Sequence, residues 1–251
     1  AFGVDGNSYS TGISFKGDEI YVYRSDNFDG NLYVSQYKNN KWSKLAKLNA
    51  NINTKYWESH ATLSKDGKTL YFTSNRADGY GGLDIYKSER RRGVDWGPAV
   101  NLGPVINSKY NEDTPFVTED GNTLYFSSMG HYNMGGYDIF YSTRLDNGQW
   151  SKPINAGYPL NTTHDDLFFT PVGDGAYAYY AKYDMDDSYG LMDIYKLEVF
   201  TDLHPRKFIL KGISRVEGQV KQPDYAQMTA ILINSKSGKI IDQAKLNSDG
   251  T

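Results

Sequence analysis

Three carboxylates occupy one position of a repeating period: Glu58, Glu112 and Asp166, each 54 residues from the next. Two carboxylates in unlike surroundings can divide into acid and base on a glycosidic bond. Carboxylates that repeat share their surroundings, which argues against that division. Two uses remain open. The three groups could line one rim and bind a cation, a basic peptide or a sugar, or they could stay solvated and cap turns. A second acidic series, Asp84, Asp138 and Asp193, follows Gly-rich stretches, where side-chain to backbone hydrogen bonds would hold a turn. The segment "DMDDSYG", Asp184 to Gly190, has the acidic start of a calcium loop. It carries Tyr189 where that loop needs Gly and Tyr195 where it needs Glu. The histidines His60, His131, His164 and His204 show no metal-ligand spacing. There is no G-x-S-x-G elbow and no Gly-rich phosphate loop. No metal, no cofactor and no catalytic residue is therefore expected. Arg90 to Arg92 read as a solvated turn.

The same 54-residue step governs the elements that must position these groups. Trp42, Trp96 and Trp150 keep it, as do Asn53, Asn107 and Asn161, and Tyr71, Tyr125 and Tyr179. Asp84-Ile85-Tyr86, Asp138-Ile139-Phe140 and Asp193-Ile194-Tyr195 follow at nearly the same step, with Asn31-Leu32-Tyr33 as a weaker first copy. "SKDGKTLYFTSN" at Ser64 returns as "TEDGNTLYFSSM" at Thr118. Within the second unit the pattern predicts strands over His60 to Leu63, Thr69 to Ser74, Leu83 to Ser88 and Trp96 to Leu102, with a hairpin turn at Asp66-Gly67. Pro98 places the last of these at an edge, because Pro cannot donate to a central ladder. Four strands per unit, repeated without helices, define a β-propeller blade. A single twisted sheet cannot bury both faces, and radial stacking buries them against its neighbours. The units begin near residues 12, 60, 114 and 168, and the fourth ends after its third strand near Val199. The strand Ala1 to Asn7 could close a four-bladed ring, or further blades could lie upstream.

Composition agrees. Twenty-two Tyr carry most of a 15% aromatic fraction, suited to half-buried pleated surfaces. The net charge of −3 gives no electrostatic case for nucleic acid. The chain contains no Cys, which excludes disulfide and thiol chemistry, and no apolar run long enough for a membrane-spanning helix.

The strings "LSKDGKTLYFTSNRADGYGGLDIYKSE" and "VTEDGNTLYFSSMGHYNMGGYDIFYST" resemble the repeats of TolB-like, WD-repeat-like β-propellers. The longer period, with its Trp and "N-x-x-x-x-I-N-S" run, is similar to repeats in large Bacteroidetes cell-envelope proteins. In those, TPR repeats precede the propeller, and a β-sandwich and an OmpA-like peptidoglycan-binding domain follow. Some are similar to components of type IX secretion and gliding machinery. The resemblance covers residues 12–199. The first unit departs from it, with Lys16-Gly17 where Asp-Gly is expected and Asn31 where Asp is expected. After a linker over 200–207, residues 208–251 resemble the truncated start of a carboxypeptidase-regulatory-like β-sandwich.

The resemblance implies a non-catalytic scaffold in the periplasm, associated with the outer membrane. Its partners would be envelope proteins, with peptidoglycan reached through domains outside this chain. A glycan-binding propeller and a glycoside hydrolase are the alternatives. Aromatics at packing positions of every blade favour the scaffold. Aromatics confined to loop tips, such as Tyr80, Tyr132 and Tyr189, favour the glycan binder. If a site exists, the channel mouth at Glu58, Glu112 and Asp166 is its expected place. Trp96 and Trp150 are expected to be largely buried.

Overall fold

The computed structural model describes residues 8–26, 29–93, 95–173, 175–182, 193–199 and 224–248. The chain divides into two units, Ala1–His204 and Pro205–Thr251. The first is a four-bladed propeller of antiparallel sheets. Blade one comprises β1 (Ser8–Ile13), β2 (Glu19–Asp26), β3 (Asp29–Lys38), β4 (Lys41–Trp42) and β5 (Ala46–Lys47). Blade two comprises β6 (Glu58–Leu63), β7 (Thr69–Ser74), β8 (Asp84–Arg92), β9 (Asp95–Trp96) and β10 (Val100–Asn101). Blade three comprises β11 (Glu112–Val117), β12 (Thr123–Ser128), β13 (Asp138–Thr143) and β14 (Ile154–Asn155). Blade four comprises β15 (Leu167–Val172), β16 (Tyr177–Lys182) and β17 (Asp193–Glu198). The repeat and the blades coincide: Tyr71 pairs with Lys87 in blade two as Tyr125 pairs with Tyr141 in blade three.

The predicted fourth strand of blade two, Trp96 to Leu102, is instead two fragments, β9 and β10, flanking Gly97-Pro98-Ala99. Pro98 supplies no N–H, so the ladder breaks there. Ser88 Oγ bridges that break by donating to Gly97 O at 2.7 Å. Past the other end of β10, a side chain continues the pairing with β8. Asn107 Oδ1 accepts from Ile85 N at 2.8 Å and its Nδ2 donates to Ile85 O at 2.9 Å. Asn161 holds Ile139 in the same way, at 2.8 and 2.9 Å. Asn53 holds Leu32, at 2.8 Å for both bonds. A carboxamide presents one donor and one acceptor in a plane, as a peptide group does, so each Asn acts as one residue of an absent strand.

Two glycine features follow from geometry. Gly17, Gly67 and Gly121 take positive φ, at 70°, 73° and 72°, in the hairpin turns, where residues with a Cβ are strained. Lys16-Gly17 therefore makes the same turn as the Asp-Gly pairs. Gly81 and Gly135 lie against the following inter-blade loop. A Cβ on Gly81 would collide with Tyr110 O, and one on Gly135 would come within 2.5 Å of Thr163 C.

The core lies between blades. Tyr21, Leu32 and Val34 of blade one pack on Leu70, Phe72, Tyr86 and Trp96 of blade two. Tyr71 and Ile85 of blade two pack on Leu124, Phe126 and Phe140 of blade three. Burying each such side chain stabilises by about 1.5–3 kcal/mol. Trp96 is fully buried under the Arg90 guanidinium, 4.6 Å above its ring. Trp150, expected to match it, is only partly buried, with Arg144 at 4.8 Å. Trp42 of the weak first copy is 38% exposed. Arg90 also donates to Glu19 and to Tyr21 across the first blade junction, as Arg144 does to Tyr71 across the second. Burial pushes the Glu19 carboxyl up, but the Arg90 and Gln36 hydrogen bonds and the Arg90 charge outweigh it, so the net direction is down. On blade four the outward face is open: Ile194, equivalent to the buried Ile85 and Ile139, is 80% exposed.

In the second unit the described residues form a 3-10 turn at Tyr225–Gln227 and a hairpin of β18 (Thr229–Ile233) and β19 (Ile240–Lys245). The expected β-sandwich start does not emerge from these elements. The proposed closing strand Ala1 to Asn7, the linker and Asp184 to Gly190 lie outside the described residues. Among the described residues no helix is long and apolar enough to cross a membrane.

Candidate site in the propeller channel

The three repeated carboxylates are turned inward. Glu58, Glu112 and Asp166 are buried to within 1%, so they are not the solvated rim expected of a binding mouth. Each accepts from the residue four positions earlier. Glu58 takes Thr54 N at 3.0 Å and Thr54 Oγ1 at 2.8 Å. Glu112 takes Ser108 N and Oγ, both at 2.7 Å. Asp166 takes Thr162 N at 2.6 Å. Ser74 and Ser128 on the neighbouring strands complete the first two, at 2.9 and 2.7 Å, and Arg76 stands 3.5 Å from Glu58. These groups seal the loop that enters each inner strand. Burial is the main cause that raises all three carboxyls above their ordinary range, against the lowering effect of those hydrogen bonds. Asp84 and Asp138 hold their Gly-rich loops by accepting from Gly81 N and Met134 N, at 3.0 and 2.7 Å.

Immediately after these carboxylates the inner strands stop repeating. The register slips between Glu58 and Ala61, between Asp113 and Phe116, and between Leu167 and Thr170, with a related slip between Ser10 and Gly12. A β-bulge of this kind bends a strand and re-aims its side chains. The re-aimed position holds His60, Thr114 and Phe168 in blades two, three and four. Thr114 and Phe168 adopt positive φ, 48° and 62°. For a β-branched residue and a bulky one this is a strained conformation of the kind found at functional sites.

These residues border a cavity of about 390 Å³ that runs between the inner strands. Its wall includes Ser10, Thr11, Thr62, Thr114, Phe116 and Phe168, with His60 among them. The volume is in the range of small-molecule sites. His60 is 8% exposed. Its Nδ1 lies 2.7 Å from Asp113 Oδ1. The same oxygen accepts from Ser59 Oγ at 3.1 Å and from Thr114 N at 2.8 Å. Burial pushes the Asp113 carboxyl up, yet the His60 charge and the hydrogen bonds from His60 and Thr114 N outweigh it and hold it below the usual range. With Asp113 ionised, Nδ1 is the donor of their contact. Nε2 is buried and has no hydrogen-bond partner. The rings of Tyr9 and Phe168 flank the imidazole, with centroids at 5.4 and 5.0 Å.

Among the described residues no cluster of His, Cys, Asp and Glu could hold a metal. The aromatics fall into both expected classes. They pack the three junctions between consecutive blades, and Tyr80 and Tyr132 also stand exposed at loop tips, Tyr132 almost wholly. Tyr189 lies outside the described residues.

Comparison with known proteins bears on the fold. No protein-family profile and no curated protein sequence matches the chain. Among solved structures, a protein assigned as TolB from Agrobacterium tumefaciens is similar with a TM-score of 0.51 and 18% identity, over 77% of this chain and 61% of that one. TolB from Acinetobacter baumannii aligns with a TM-score of 0.49 and 12% identity, over 76% of this chain and 41% of that one. The chain thus spans 41% and 61% of these two structures. An alpha-L-arabinofuranosidase from Lactobacillus brevis is similar with a TM-score of 0.51 and 15% identity, over 76% of this chain and 72% of that one. The last comparison corrects the expectation that the chain is not an enzyme. An enzyme carries its activity on the same fold, so the propeller gives no ground for excluding catalysis.

Proposed function

We propose that the chain is a propeller binding module whose ligand enters the channel beside His60. The observation that carries this reading is the buried, unpartnered Nε2 of His60 at the wall of a cavity. A buried polar atom without a partner costs about 1–3 kcal/mol, and a ligand that satisfies it recovers that cost. The non-repeating residues around it support the same reading, because packing alone would be served by the repeat. By its resemblance to envelope propellers, the module works in the periplasm near the outer membrane, as part of a larger scaffold. Envelope proteins are its partners there, and peptidoglycan is reached through domains outside this chain.

The test is a fragment screen by NMR on the intact chain, using envelope-derived peptides, glycans and muropeptides. Saturable shifts at Ser10, Thr62, Thr114 and Phe168 are the expected result. Shifts confined to the loop-tip tyrosines Tyr80 and Tyr132 would move recognition from the channel to the outer rim and overturn this reading.

A further inference from the structure

Three aromatic side chains break the repeat, and they meet. Tyr23 stands where Thr73, Ser127 and Ala181 stand in the later blades, and Trp57 stands where Asn111 and Asp165 do. Tyr9 pairs with Tyr23 across β1 and β2 as Asp113 pairs with Ser127 across β11 and β12. At the position of Trp57 the repeat has a structural use. Asn111 Oδ1 accepts from Leu83 N, and Asp165 Oδ1 from Tyr137 N, both at 2.9 Å. An indole accepts no such bond, and blade one has Gly30 at the place of Leu83 and Tyr137. A Cβ on Gly30 would lie 2.8 Å from the Tyr23 ring and 3.0 Å from the Trp57 ring. The glycine lets the rings close on each other. Tyr9 stacks on Tyr23 with centroids 4.6 Å apart, and Tyr23 on Trp57 at 5.7 Å, the spacing of favourable ring pairs. Tyr23 is buried in the middle, while Tyr9 and Trp57 at the two ends stay 41% and 42% exposed. The stack stands beside the channel: Trp57 directly precedes β6, and Tyr9 lies in β1 next to Ser10 and Thr11 of the cavity wall.

We infer that this stack is a platform for a neutral glycan, one pyranose ring lying on the indole of Trp57, a proposal that extends the channel reading and rests on it for the direction in which further sugars run. A pyranose has an apolar C–H face and a rim of hydroxyls. An indole backed by two stacked rings offers that face a rigid surface, with little side-chain ordering left to lose. The hydroxyls of Ser10, Thr11, Thr62 and Thr114 in the cavity wall both donate and accept, as the sugar rim does. Asn75, whose Oδ1 accepts from Trp57 N at 2.7 Å, adds an exposed carboxamide beside the indole. A proline-rich peptide also lies on aromatic rings, but proline brings no N–H to a wall of hydroxyls.

The probes are cello-, malto- and N-acetylchito-tetrasaccharides, their monosaccharides, and a proline-rich peptide, each titrated into the intact chain. Binding is read by NMR from the Trp57 indole N–H and from the amides of Thr62 and Thr114, and by calorimetry from heat. Trp42 supplies the control, an indole of the same blade that is 38% exposed but packs on Tyr37 instead. Saturable binding of at least one tetrasaccharide, tighter than its monosaccharide, is the expected result. It should weaken at least tenfold in Trp57→Ala and stay unchanged in Trp42→Ala. Gly30→Ala drives the rings apart and should weaken it with the indole still present. Thermal melting establishes that each variant is folded. An indole that answers to no saccharide, or equal losses in the two tryptophan variants, would overturn the inference, as would capture of the peptide alone. Tetrasaccharide shifts in the cavity amides with undiminished affinity in Trp57→Ala would overturn the platform and leave the channel reading standing. Indole shifts abolished in Trp57→Ala, with the cavity amides silent, would uphold the platform and remove the channel reading.

Discussion

Two neighbouring stretches of the same inner strands behave in opposite ways. Glu58, Glu112 and Asp166 do one job three times, each closing the loop four residues behind it. One and two residues later the strands carry Ser59-His60, Asp113-Thr114 and Leu167-Phe168. These share a backbone slip but no side-chain chemistry. The repeated residues build the blade and are hidden by it. The unrepeated residues face the axis, where four blades meet and symmetry no longer has to be kept. In a repeat protein, then, chemistry is best sought where the period is broken.

The largest effect that could break this contrast concerns the indoles. Trp96→Ala should cost about 3–5 kcal/mol in denaturant unfolding, as for other buried aromatics, whereas Trp42→Ala should cost under about 1 kcal/mol. Equal losses would mean that the first blade leans on its indole as heavily as the second. Next come the asparagines. Asn107→Ala strands the buried N–H of Ile85, whose C=O still accepts from Leu102 N, and should cost roughly 1–3 kcal/mol. A loss below about 0.5 kcal/mol would show that Asn107 merely decorates the edge.

Acid and base titration sharpens the comparison further. Asp113 is held low when folded, so its contribution is present above the unfolded carboxyl value and lost as pH falls through the lowered folded one. Wild type should therefore exceed Asp113→Asn by about 2 kcal/mol at neutral pH, with the gap closing in acid. Glu112 is held high, so its contribution is present below the unfolded value and lost as pH rises through the raised folded one. Glu112→Gln should accordingly gain on wild type as pH rises. Melting curves of both variants across pH test this pair, and parallel trends would refute the division between the two stretches. Charge reversal at Glu112 could not report on ligand capture, because a lysine ammonium would be buried among the Ser108 and Ser128 donors. The smallest effect is expected at the exposed pair Lys65 and Glu119, 2.6 Å apart on adjacent hairpins. Lys65→Ala should change stability by less than about 0.5 kcal/mol.

The blades were legible because their anchors recur. Trp, Tyr, Asp-Ile-Tyr and Asp-Gly each satisfy a need that returns with every sheet. Asn107 and its equivalents were visible as anchors, but their role was not, since a carboxamide standing in for a strand requires knowing that β10 ends at Asn101, short of Ile85. Burial of Glu58 and Glu112 was obscured by their charge, for which the sequence default is solvent. The donors that offset it, Thr54 and Ser108, lie four residues upstream in plain view. His60 and Asp113 escaped notice for a deeper reason. They lie 53 residues apart, one short of the period, so no comparison at equal positions pairs them. The available signal was negative: Ser59, Asp113 and Leu167 have nothing in common where nearly everything around them does.

The asparagine clamps also bear on how the molecule opens. The amide protons of Leu32, Ile85 and Ile139 are each guarded by a side chain 21 or 22 residues further on. Their exchange with deuterated solvent therefore registers release of a loop, while neighbouring amides in β3, β8 and β13 register separation of strands. Each of the first three blades thus carries its own pair of clocks. A subglobal opening that frees one clamp alone would exchange a single one of these protons, and so reveal which junction between blades gives way first.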